Sequence, residues 1–162
     1  MKHKKAQHLT LTTLFVLFIF FLVLTLFFDE IFINPKMDEQ RYRYLQQEAS
    51  RAARTLASDG YPEEWDSSTV QRAGLLTDGI YNETKAGHLA TMPYGDTKDL
   101  LGITSNYLLI IKNNGATTTI GPYGDEANLL ADNPRYLATQ TKTVTSETGI
   151  ATITIYTYRG IP

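Results

Sequence analysis

The chain has no cysteine. Disulfides, thiolate zinc centres, a cysteine nucleophile and a lipid-modified cysteine are therefore excluded, and any domain must hold together by packing alone. Histidine is almost as scarce. His3 and His8 flank the start, and His88 stands alone in the rest of the chain, which leaves no histidine triad or multi-histidine metal centre to assemble. The glycines are scattered as turn punctuation, with no phosphate-cradling loop. Acidic residues are missing from the first 28 positions. All seventeen fall at or after Asp29, against twelve basic residues in the same stretch. A mildly acidic domain lacks the basic footprint that nucleic acid requires, so no nucleic-acid partner is expected.

What is present begins with "MKHKKAQHLTLTTLFVLFIFFLVLTLFFDE". Lys2, Lys4 and Lys5 precede a run from Leu9 to Phe28 that carries no charge. Twenty helical residues span roughly 30 Å, the thickness of a bilayer core. A cut-away secretory signal fits poorly, because its apolar core is shorter and is followed by small residues. No Ala, Gly or Ser occurs from Leu26 to Glu48. The basic head should stay in the cytoplasm, so the expectation is a single-pass membrane protein whose C-terminal domain is extracellular and whose N-terminal helix contacts membrane lipid.

"KKAQ", Lys4 to Gln7, resembles the class III signal peptide of archaeal type IV pilins and pilin-like proteins. In that family a prepilin peptidase cuts after a small residue that follows basic ones and leaves the apolar helix in place. The resemblance puts the cut between Ala6 and Gln7. It implies prepilin peptidase and copies of the chain itself, or other pilin-like subunits, as partners. Losing the lysines would free the helix to pack among its neighbours. Many type IV pilins carry Glu five residues after the cut, where this chain has Leu11. The alternative is an uncleaved single-pass envelope binding or accessory protein that does not polymerise.

Further on, Asn34-Pro35 reads as an N-cap followed by proline in the first helical turn. Leu45, Ala49, Ala52 and Leu56 share one helical face, and Arg43, Gln47, Arg51 and Arg54 share the other. Asp59-Gly60 ends that helix. A short strand is expected near Ala73 to Thr77, a helix from Asn82 to Thr91, and another turn or two from Asp96 to Leu101. "YLLIIK", Tyr107 to Lys112, suits a strand buried on both faces. Asn114-Gly115 signals a type I′ hairpin, and a second hairpin runs from Tyr136 to Ser146 and Gly149 to Tyr158. The expected fold class is α+β: an N-terminal transmembrane helix continuing into an amphipathic helix, then a small domain whose antiparallel sheet of four or five strands packs on a helix. The boundaries are a basic head over 1–8, a membrane span over 9–33, a stalk helix over 34–58 and an outer domain over 59–162. A second resemblance, to archaeal pilin-like outer domains, rests on Gly60-Tyr61-Pro62-Glu63-Glu64-Trp65, Asn82-Glu83-Thr84-Lys85 and Lys98-Asp99-Leu100-Leu101-Gly102-Ile103. It implies no activity.

No catalytic, cofactor-binding or metal-binding residue is assigned, and the chain is not expected to be an enzyme. Asp59, Glu63, Glu64 and Asp66 could offer carboxylates to calcium, but they lack the spacing of a ligand loop and read as a solvated acidic turn. Trp65 and the tyrosines could stack on sugars, although core packing accounts for them. Asn82-Glu83-Thr84 is an N-glycosylation sequon, and Asn82 is equally a good helix cap. The threonines from Thr139 to Thr157 read as an exposed sheet side or as a packing or O-glycosylated surface.

Overall fold

The computed structural model describes residues 2–28, 34–122, 126–131 and 133–159, with the side chains of 2–12 and 34–36 outside the description. The chain divides into two compact units, Met1–Arg41 and Tyr42–Pro162.

The first unit contains helix α1, Lys2–Phe28, and the start of α2, Asn34–Leu56. Every side chain described on α1, from Thr13 to Phe28, is exposed. They include Leu14 at 68 % and Phe27 at 65 %. The transmembrane assignment of 9–33 does not stand, since among the described residues no helix is long and apolar enough to cross a membrane. The remainder of the assigned span, 29–33, lies outside the described residues, as do the side chains of Ala6, Gln7, Leu11, Asn34 and Pro35.

The second unit is α+β. Its elements are the C-terminal part of α2, then β1 (Leu76–Thr77), β2 (Ile80–Tyr81), α3 (Glu83–Thr91), α4 (Tyr94–Leu100), β3 (Asn106–Asn113), β4 (Ala116–Ile120), α5 (Glu126–Ala131), β5 (Tyr136–Ser146) and β6 (Gly149–Arg159). Six strands form one sheet in the order β1-β2-β5-β6-β3-β4. The sheet is antiparallel except where β2 meets β5 in parallel at Tyr81 and Ser146. It therefore has more strands than expected and is mixed at one junction.

Both long hairpins follow from local chemistry. Asn114 and Gly115 both have positive φ, 45° and 86°, as a type I′ turn requires. β5 and β6 pair without interruption from Tyr136 opposite Arg159 to Ser146 opposite Gly149. The short β1–β2 hairpin, unforeseen as such, turns on Asp78 and Gly79, which also have positive φ. α4 ends in a Schellman arrangement, with Gly102 N–H donating to Asp99 O and Ile103 N–H to Lys98 O, each at 3.0 Å, and Gly102 in the left-handed region.

The sheet buries both faces. On one, Leu45, Ala49, Ala52, Ala53 and Leu56 of α2 are fully buried. Those alanines and Leu56 pack with Tyr107, Leu109, Ile111, Ile153 and Ile155. On the other, Leu108, Ile110, Tyr156 and Tyr158 cluster with Leu129 of α5. β3 thus contributes alternate residues to two cores, as its unbroken apolar run requires. Thr157, grouped by sequence with the exposed threonines, is buried and donates to Leu45 O at 2.9 Å.

Candidate functional site

The loop after α2 is built around Trp65. Its indole is 2 % exposed and its Nε1 donates to Gly74 O at 2.9 Å. Gly60 and Gly74 make that approach possible. A Cβ on Gly60 would stand 2.1 Å from Trp65 Nε1, and one on Gly74 would stand 2.2 Å from Ser58 O. The Gly-x-Pro-x-x-Trp pattern is thus a packing device rather than a sugar platform. His88 lies beside it, with ring centroids 6.4 Å apart.

Among the described residues of this unit two charged side chains are buried, Glu48 and Lys85. Glu48 was not singled out from sequence, and Lys85 only as the last position of the Asn-x-x-Lys pattern. Glu48, 2 % exposed, sits on the α2 face that carries Leu45 and Ala52. Its Oε1 accepts from Thr104 N and Thr104 Oγ1, both at 2.8 Å. Its Oε2 accepts from Ser105 N at 3.4 Å and from Ser105 Oγ. Burial alone pushes this carboxyl up. The donors on Ser105, Thr104 and Tyr44 outweigh it and hold the group below its ordinary value. The sequence signal was a carboxylate within an apolar helical stripe. Lys85, 3 % exposed, donates through Nζ to Leu76 O at 2.7 Å. Burial lowers its pKa, and the negative charges of Asp59, Glu63, Asp78 and Glu64 act against that.

The acidic turn does not converge. Asp66 folds onto its own loop, its Oδ1 accepting from Ser68 Oγ, Ser68 N, Thr69 N and Thr69 Oγ1. Those donors, Ser68 Oγ foremost, hold its carboxyl down to about 2. Asp59 Oδ1 accepts from Gly79 N at 3.1 Å. Among the described residues no three His, Cys, Asp or Glu side chains gather as they would around a metal.

Asn82 caps α3. Its Oδ1 accepts from Lys85 N and its Nδ2 donates to Thr77 Oγ1, each at 3.2 Å. The side chain is half-buried and Thr84 is exposed. A groove of about 510 Å³ opens beside it, lined among others by Thr77, Glu83, Asn113 and Glu147. No family model, curated protein or solved structure matches the chain. The geometry alone therefore describes these positions, and for Asn82 it describes a working cap. Asn82→Ala is expected to cost about 1 kcal/mol, read as a lower midpoint in chemical denaturation.

The feature least accounted for within the chain is α1. A soluble-protein helix hides one stripe and wets the rest. α1 instead shows large apolar groups at nearly every described position, from Leu24 at 36 % exposed to Leu14 at 68 %. With no charged residue between Thr13 and Phe28, it has no face suited to water and needs cover on all sides.

Proposed function

We propose that the chain is a pilin-like structural subunit, held among neighbouring copies by its N-terminal helix and presenting its α+β domain at the cell surface. The observation that carries this reading is the exposure of apolar side chains all along the described part of α1. Helices of like character, packed around it, would cover every side at once. At about 25 cal/mol per Å² of apolar surface removed from water, that is a large driving force for assembly. The Lys4-Lys5-Ala6-Gln7 leader supports the same reading, because cutting after Ala6 removes three lysines that such a bundle would otherwise have to bury. The domain's own buried charges, Glu48 and Lys85, are engaged in internal hydrogen bonds, Glu48 with the 104–105 loop and Lys85 with β1.

The test is the mature N-terminus, determined by mass spectrometry in cells with an active prepilin peptidase, together with the sheared-filament fraction. The expected result is a chain beginning at Gln7 and recovered in filaments. A chain still beginning at Met1 and absent from that fraction would favour the other role, an uncleaved envelope accessory protein.

A further inference from the structure

One edge of the sheet is left open. On its outer side β5 meets β2 at a single pair, Ser146 with Tyr81. Among the described residues no strand lies beside β5 from Leu137 to Thr145 on that side. The two-residue turn Glu147-Thr148 makes Ser146 and Gly149 a hydrogen-bonded pair. Bonded and non-bonded pairs alternate from there along an antiparallel ladder. Leu137, Thr139, Thr141 and Thr143 therefore direct their N–H and C=O groups away from β6, toward the open edge.

Protected edges carry proline, a bulge, an inward charge or a covering loop. β5 has no proline and no glycine between Tyr136 and Ser146, and its register with β6 shows no bulge. Its one charge, Lys142, lies across from Ile153 on the face packed by α2 and is half-buried. This single inward charge is the one such device in the strand's sequence, and Thr139, Thr141 and Thr143 are uncharged and exposed on the other face. The far edge, β4, is protected by brevity: it ends at Ile120 and is followed by Gly121-Pro122.

We propose that β5 pairs antiparallel with β5 of a second copy across a two-fold axis, joining two sheets edge to edge. The strand's own sequence selects a copy of itself. With Thr141 on the axis, Thr139 faces Thr143 and Gln140 faces Lys142, so no like charges stand directly opposite one another, and the two Lys142 side chains are diagonal neighbours. Threonine pairs suit such positions. The same pair type already exists inside the sheet, where Thr141 and Thr154 hydroxyls are 3.2 Å apart. An edge contact is smaller than a standard stable interface, so it acts where copies are crowded. For that crowding it rests on assembly through α1.

Because the chain has no cysteine, a single introduced thiol reports its own position. Single-cysteine variants of the full chain at each position from Thr139 to Thr143, with Thr117→Cys on β4 as reference, would be mildly oxidised and their disulfide dimers counted. Only a residue on the two-fold axis brings its own copy within the ~4.4–6.8 Å Cα separation that a disulfide needs. Two residues away the separation already exceeds 10 Å. The expected result is one sharp maximum, at least tenfold above the positions two residues to either side and above Thr117→Cys. A flat profile, or none above the reference, overturns the proposal. Sedimentation of the same samples separates the two readings. Filaments with a flat profile overturn the β5 contact alone, whereas a sharp maximum without filaments upholds it and removes assembly through α1.

Discussion

Gly74→Ala is expected to lower the thermal midpoint of the second unit, Tyr42–Pro162, by on the order of 10 °C, corresponding to ~3 kcal/mol. A Cβ there would come within 2.2 Å of Ser58 O, 2.3 Å of Asp59 C and 2.5 Å of Asp59 O. All three are main-chain atoms, so no rotamer change relieves the overlap. Nor can the backbone retreat cheaply. Ser58 O already accepts from Leu76 N at 3.1 Å, and Leu56 O from Leu75 N at 2.9 Å. Moving either strip apart breaks the seam that joins the end of α2 to β1, and draws Gly74 O off the Trp65 indole. Gly60→Ala meets the indole first, at 2.1 Å from Nε1 and 2.4 Å from Cδ1, and differs in kind because only one of the three nearest atoms, Gly74 O at 2.7 Å, belongs to the main chain. The expected order of damage is therefore Gly74→Ala greater than Gly60→Ala. Calorimetry of the two variants side by side checks it, and equal midpoints would contradict the backbone argument.

Glu48→Ala is expected to cost about 3 kcal/mol, because it strands the buried donors on Ser105 and leaves the part-buried bonds from Thr104 without their acceptor. Glu48→Gln, nearly the same in shape, should cost about 2 kcal/mol, since its amide turns one donor group toward others. The carboxyl is held below its ordinary value in the fold. Its contribution is thus complete above the unfolded carboxylate pKa of about 4.3 and is lost as pH falls through the folded value. Chemical denaturation at pH 7 and at pH 3 should show the gap between the native chain and Glu48→Gln narrowing in acid. A gap that held constant would mean that the carboxylate's charge is not what binds the 104–105 loop.

How much was legible in the sequence follows the range of the forces involved. The β3–β4 and β5–β6 hairpins could be read because two-residue turns and strict alternation are set by neighbours. The buried and exposed faces of α2 could be read from residues three and four apart. The β1–β2 hairpin was missed because strands of two residues carry no periodicity, and only Asp78-Gly79 hinted at it. α5, six residues long, was missed for the same reason. Glu48 could not be placed, because its burial depends on donors 56 and 57 positions away. The apolar run of α1 was legible as apolar, but the inference from it to a membrane span fails among the described residues. Asn82 was read both as a cap and as a sequon, and only the first of these is a matter of geometry.

The sheet order carries a consequence for how the domain forms. β3 with β4, and β5 with β6, each close over a turn of two residues, whereas β3 joins β6 by bringing Asn106 to Tyr158 and Asn113 to Ala151. Two hairpins can therefore zip locally and early, and the slow event is their docking along the β3–β6 seam, where the chain entropy of the intervening loop must be surrendered at once. Until that seam closes, the side chains of both cores on β3 and β6 lack their partners, so the domain acquires its two hydrophobic layers in one concerted step.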